Sequence, residues 1–136
     1  MEDVRKLFRI QILTTLIFVV FKFSRPSVLE GGSPDLVKLI FLSLPNFLEA
    51  IVGMTTVCAL GLVANHRLLT APKRLKAEYI YLLSVLFTAI YVITQEFKLH
   101  NIGGNNVYDP NDVLFSVIDL IIGYVIILTL KPRISE

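Results

Sequence analysis

At 136 residues, with 54% hydrophobic and 18% charged side chains, the chain lacks the polar surface that a soluble domain of this size requires. Its mean hydropathy of +0.70 points the same way. A net charge of +2, carried by Lys and Arg between apolar blocks, gives no footprint for nucleic acid, and the single Cys58 excludes an internal disulfide.

The apolar residues are not spread at amphipathic spacing. They fall in four blocks divided by short clusters of Lys, Arg, Asp, Gly, Pro and Asn, the pattern of a multi-pass membrane protein. The expected fold is all-α, a single domain made of a four-transmembrane-helix bundle over residues 1–136. The first span is expected near residues 7–23. Arg5, Lys6 and Arg9 precede it like the charged start of a signal peptide, but no small-x-small cleavage site follows, so it reads as an uncleaved span. The second block, Leu36 to Ala64, is too long for one upright span. Pro45 suits the first turn of a helix, which predicts a span over residues 45–64 preceded by a short interfacial segment or an extra turn. The third and fourth spans are predicted over residues 77–97 and 110–130, and Pro132 stops the last.

Basic residues set the expected orientation. Arg5, Lys6, Arg9, Arg67, Lys73, Arg74, Lys76, Lys131 and Arg133 fall on one side, and Lys22, Arg25, Lys38 and Lys98 on the other. Nine against four predicts that both N and C termini are cytoplasmic.

Polar residues inside spans are costly and therefore informative. In the fourth block Asp112, Ser116, Asp119 and Gly123 are spaced by four, three and four, which places them on one helix face. Asp119 stands nine residues beyond Pro110, near the bilayer midplane at roughly 1.5 Å per residue. The third block repeats the spacing with Ser84, Thr88, Tyr91 and Gln95, and the second carries Asn46, Glu49, Gly53 and Thr56. Gly53 and Gly61 are expected at close helix contacts. The first block has a sparser set, Gln11, Thr15 and Lys22.

Plainer readings exist for several of these residues. Asn46 and Glu49 have capping-box spacing, and Asp109, Pro110 and Asp112 fit N-cap, N1 and N3. Ser84, Thr88 and Gly123 suit packing between helices. Asp119 has no capping role. His100, Asp109 and Asp112 include metal-ligand types, but without the spacing of a metal motif they read as a polar turn, so no metal and no cofactor is expected. No phosphate loop, Ser-x-x-Lys, His-Glu-x-x-His or Cys pair points to an enzyme.

The stretch from Gln95 to Gly123 resembles the VanZ-like family of small bacterial membrane proteins. Their closing helix carries Asp-x-x-Asp-x-x-x-Asn-x-x-Gly-x-x-x-Gly, and Asp109, Asp112, Ser116, Asp119 and Gly123 stand at that spacing. Serine replaces the asparagine and Asp119 the first glycine; Asn46-Phe47 stands where a His-Phe pair often opens the second helix. The resemblance implies a bacterial inner-membrane protein of the cell envelope, linked to resistance to teicoplanin-type glycopeptide antibiotics.

The polar stripes predict an outward-facing pocket with Asn46, Glu49, Gln95, Asp112, Ser116 and Asp119 as candidate ligand-binding residues. The expected ligand is a lipid-linked or amphiphilic molecule in or beside the lipid bilayer. Two other readings use the same residues: a proton- or cation-coupled transporter, expected as a homodimer, and a non-catalytic subunit whose stripes contact partners in a membrane complex.

Overall fold

The computed structural model describes residues 2–96 and 110–134. Among them the regular structure is all helical: α1 (Glu2–Glu30), α2 (Asp35–Leu68), α3 (Ala77–Glu96) and α4 (Pro110–Leu130), with a 3₁₀ turn over Ala71–Lys73. All four helices contain stretches long and apolar enough to cross a membrane. Their outer faces carry exposed Leu, Ile, Val and Phe, the surface of a protein solvated by lipid.

Neighbouring helices alternate in direction. Gln11 of α1 bonds Thr56 of α2 while Phe21 meets Phe41, so these two run antiparallel. A Cβ at Gly61 of α2 would meet Ile80 of α3, and one at Gly53 would meet Thr88, again an antiparallel pair. The Tyr81 hydroxyl at the start of α3 donates to the Pro132 carbonyl just beyond α4 at 2.7 Å. The start of α1 and the segment after α4 therefore share one end of the bundle. α2 is the central helix: it packs on all three others. In the span windows, 44% of α2 positions are buried against 6% of α1 positions.

The third and fourth helices begin where the sequence predicts. The second does not begin at Pro45. It runs unbroken from Asp35, and the single Pro34 carbonyl accepts from both the Val37 and the Lys38 amides. Proline removes one amide donor, but no Gly, Pro, Asn or Asp separates Leu36 from Leu44, and the Phe21–Phe41 contact (ring centroids 4.7 Å apart) holds that portion against α1. At 34 residues, α2 is roughly 50 Å long, well beyond the hydrocarbon thickness of about 30 Å. The continuity also overturns the capping-box reading: Asn46 and Glu49 lie inside a helix, with no free helix start to cap. The first helix likewise exceeds residues 7–23, passing Pro26 to end at Glu30, where the Gly31 amide bonds the Ser27 carbonyl.

The main core gathers Leu7, Met54, Cys58, Leu62, Ile80 and Ile127, with Tyr81 among them. Gly61 is required there: a Cβ would stand 2.8 Å from Ile80 Cγ2, too close for two helices at this separation. At the end of α4, the Lys131 amide donates to the Ile127 carbonyl at 2.9 Å with Lys131 at φ 41°, a left-handed cap built without glycine. Pro132 then prevents continuation.

Candidate functional site

Asp119 lies on the inward face of α4. Ser116 is 2% exposed, Asp119 3% and Leu120 6%, and Gly123 is buried against Ile51 and Met54 of α2. The spacing read along α4 thus marks one buried face from Ser116 to Gly123. The close approach at Gly123, where a Cβ would meet Met54 Sδ at 3.1 Å, brings α4 against the middle of α2.

Toward the start of α2 the two helices part to leave a groove of about 200 Å³ lined by Ile40, Ser43, Leu44, Phe47, Phe115 and Asp119. Five of these six are α2 or α4 residues other than the predicted candidates. The α2 residues recur at i, i+3, i+4 and i+7, the period of one helix face. Following that period upstream through Pro45 is the signal that reveals them; ending the helix at Pro45 conceals it. Asp119 thus presents a carboxyl group to a mainly apolar recess in which Ser43 is the other polar side chain. Among the described residues, Asp119 forms no hydrogen bond or ion pair.

The remaining candidates are dispersed. Glu49 and Gln95 are half-buried, and neither lines this groove. Ser116 sits one turn from Asp119, on the same face, and is engaged in an interaction of its own. The backbones of Asn46 and Asp112 belong to α2 and to the first turn of α4, but their side chains lie outside the described residues. So does the loop bearing His100 and Asp109.

The polar stripes of α2 and α3 are less uniform than their spacing. On α3, Ser84 and Thr88 are buried at 1% and 3%, but the inward face continues through Val92, leaving Tyr91 45% exposed. On α2, Gly53 faces Thr88 of α3, whereas Thr56 accepts a 2.6 Å hydrogen bond from Gln11 of α1; one stripe is divided between two interfaces.

Most of the small hydroxyls are satisfied within their own helices. Thr55 donates to the Ile51 carbonyl at 2.8 Å, Thr56 to Val52 at 2.7 Å and Ser84 to Ile80 at 2.6 Å. They are packing residues that carry their own acceptors. Among the described residues two side-chain polar atoms with no solvent contact also lack a partner, Thr88 Oγ1 and Gln11 Oε1, and neither residue lines the Asp119 groove.

Fold and exterior together define an all-α helix bundle of the membrane-spanning class. Comparisons with protein-family models, with curated proteins and with solved structures find no match to this chain.

Proposed function

We propose that the protein binds a lipid-linked or amphiphilic molecule at the groove beside Asp119, from within the bilayer. The observation carrying this reading is a carboxyl group at mid-helix that faces an apolar recess and has no partner among the described residues. Burying such a group is costly unless something supplies a hydrogen bond or a charge. An amphiphile can do both: its ammonium or hydroxyl head meets Asp119 and its hydrocarbon meets Ile40, Leu44, Phe47 and Phe115.

The groove lies toward the end opposite the chain's described termini. Nine Lys and Arg stand at the terminal end against Lys22, Arg25 and Lys38 toward the other, a bias that supports cytoplasmic termini by the positive-inside rule. The groove then faces the outer leaflet. The resemblance of residues 95–123 to VanZ-like proteins agrees with an envelope role connected to glycopeptide resistance.

The test pairs cells with purified protein. Cells producing the wild-type chain are expected to tolerate teicoplanin better than cells producing Asp119→Asn, and the wild type is expected to retain an alkylammonium probe that Asp119→Asn releases. Unchanged tolerance together with unchanged retention sinks the proposal. Proton flux in proteoliposomes that disappears in Asp119→Asn, without probe binding, favours coupled transport instead.

A further inference from the structure

A second cavity lies at the terminal end of the bundle, remote from Asp119. Its volume is about 350 Å³, and its polar lining includes Asn65, His66, Arg74, Lys76, Glu78 and Arg133. Three permanent cations and a histidine thus face one carboxylate. They come from separate parts of the chain: the last turn of α2, the α2–α3 connection and the segment beyond α4.

These cations do different work. Arg74 donates from Nε to the Leu69 carbonyl and from Nη2 to the His66 carbonyl, both at 3.3 Å, and so covers the carbonyl end of α2. That end carries a partial negative charge, which would repel an anion; a guanidinium over it removes the objection. Lys76 and Arg133 have exposed side chains and both line the cavity, one ahead of α3 and the other after α4. The Tyr81–Pro132 hydrogen bond fixes the chain immediately before Arg133 against α3.

An apolar groove adjoins this cavity on the outer side of α2 and α3. It measures about 360 Å³ and runs past Gly61, Ala64, Ile80, Leu83 and Phe87. The cavity and the groove share Asn65 and Leu75. At that junction the Asn65 amide donates to the Leu75 carbonyl at 3.0 Å and accepts from the Leu75 amide at 2.9 Å, so the border that both share is held in place. Ser84 lines the groove, but its hydroxyl is spent on Ile80. The order is cationic at the helix ends, where lipid headgroups lie, and hydrocarbon toward the bundle centre. This is the outline of a phospholipid.

We infer that this cavity and groove form a specific site for an anionic phospholipid, with its phosphodiester between Lys76 and Arg133 and an acyl chain along α2 and α3. The site is separate from the Asp119 groove and does not depend on what that groove binds. Cation placement argues for an anionic headgroup, and the groove that continues from the cavity argues for a lipid rather than a soluble phosphate.

Delipidated full-length protein in neutral detergent, followed by native mass spectrometry, tests the site with three probes: phosphatidylglycerol, phosphatidylcholine and inorganic phosphate. Phosphatidylglycerol is expected to bind one molecule per chain in preference to phosphatidylcholine, and to weaken as salt is raised. The double variant K76Q/R133Q alters two exposed side chains and should lower its affinity about thirtyfold, at roughly 1 kcal/mol per charge. Ala64→Trp, which fills the groove from its exposed wall, should weaken phosphatidylglycerol while leaving the cations in place. Equal retention of both lipids overturns the inference, as does an unchanged affinity in either variant. Inorganic phosphate that competes as strongly as the lipid also overturns it, leaving a soluble-anion site.

Discussion

The two ends of the bundle are built on different principles. At the terminal end, side-chain hydrogen bonds tie the α2–α3 connection to the end of α2 (Asn65 to Leu75, Arg74 to the His66 and Leu69 carbonyls) and tie α3 to the tail after α4 (Tyr81 to Pro132, 51 residues apart). Leu7, Met54, Cys58 and Ile127 are sealed beneath them with essentially no exposure. At the other end the α2 helix absorbs Pro45, and α2 and α4 leave a groove around a carboxylate. One end stabilises the arrangement; the other tolerates a group that stability alone would remove. Protein sites commonly show this division, because a group poised to meet a ligand is poorly satisfied without it.

The largest expected effect comes from spoiling the packed end. Gly61→Leu places its first side-chain carbon 2.8 Å from Ile80 Cγ2, and no rotamer of the new side chain moves that carbon, so the packed Ile80 or the helix must shift. Separating α2 from α3 should cost about 3 kcal/mol, the upper part of the usual range for overpacking. Thermal unfolding in detergent reads this as a large loss. A melting point within a degree or two of wild type, at about 2–4 °C per kcal/mol for a chain near this size, contradicts the close approach.

At the open end the expected sign reverses. Asp119→Leu substitutes an apolar side chain of similar size for a carboxyl group that has no partner among the described residues and faces Ile40, Leu44, Phe47 and Phe115. Removing an unmatched polar group from such surroundings should stabilise the empty protein by about 1–3 kcal/mol. The same substitution should abolish retention of the alkylammonium probe. A destabilised Asp119→Leu variant means that the carboxylate is held by a structural partner, and the contrast between the two ends then fails.

Much of this arrangement is legible in the sequence, and the exceptions have physical causes. Blocks of apolar residues announce the spans, because any helix crossing hydrocarbon must be apolar over its whole length. Pro110 and Pro132 mark the limits of α4 because each acts locally. Pro45 misleads for the opposite reason: its effect depends on whether neighbouring helices hold the chain straight, and Phe21 packing on Phe41 is a contact between residues twenty apart. Asp119 is conspicuous from its chemistry and its place in α4. Its groove partners are not, since Ile40, Leu44, Phe47 and Phe115 are ordinary span residues until α2 is known to continue upstream. The basic cavity is concealed in another way. Lys76 and Arg133 each satisfy the positive-inside pattern, and their convergence rests on the Tyr81–Pro132 bond between segments 51 residues apart.

That bond permits the finest test of the comparison. Tyr81 is 3% exposed, and its hydroxyl donates to a carbonyl in the short tail rather than to a side chain. Tyr81→Phe keeps the ring in the core beside Leu7 and Ile127 and deletes one oxygen. The Pro132 carbonyl, on a fully buried residue, then loses that donor, which should cost about 1 kcal/mol. The tail after Pro132 would also lose its anchor to α3, so proteolysis near Arg133 should quicken before global unfolding changes much. Phosphatidylglycerol affinity should fall in the same variant, because Arg133 would no longer be held at the border of the cavity. If the terminal end owes its closure to hydrophobic packing alone, Tyr81→Phe will match wild type in all three measurements. If the long-range hydrogen bonds hold it, a single oxygen atom separates a fixed tail from a loose one.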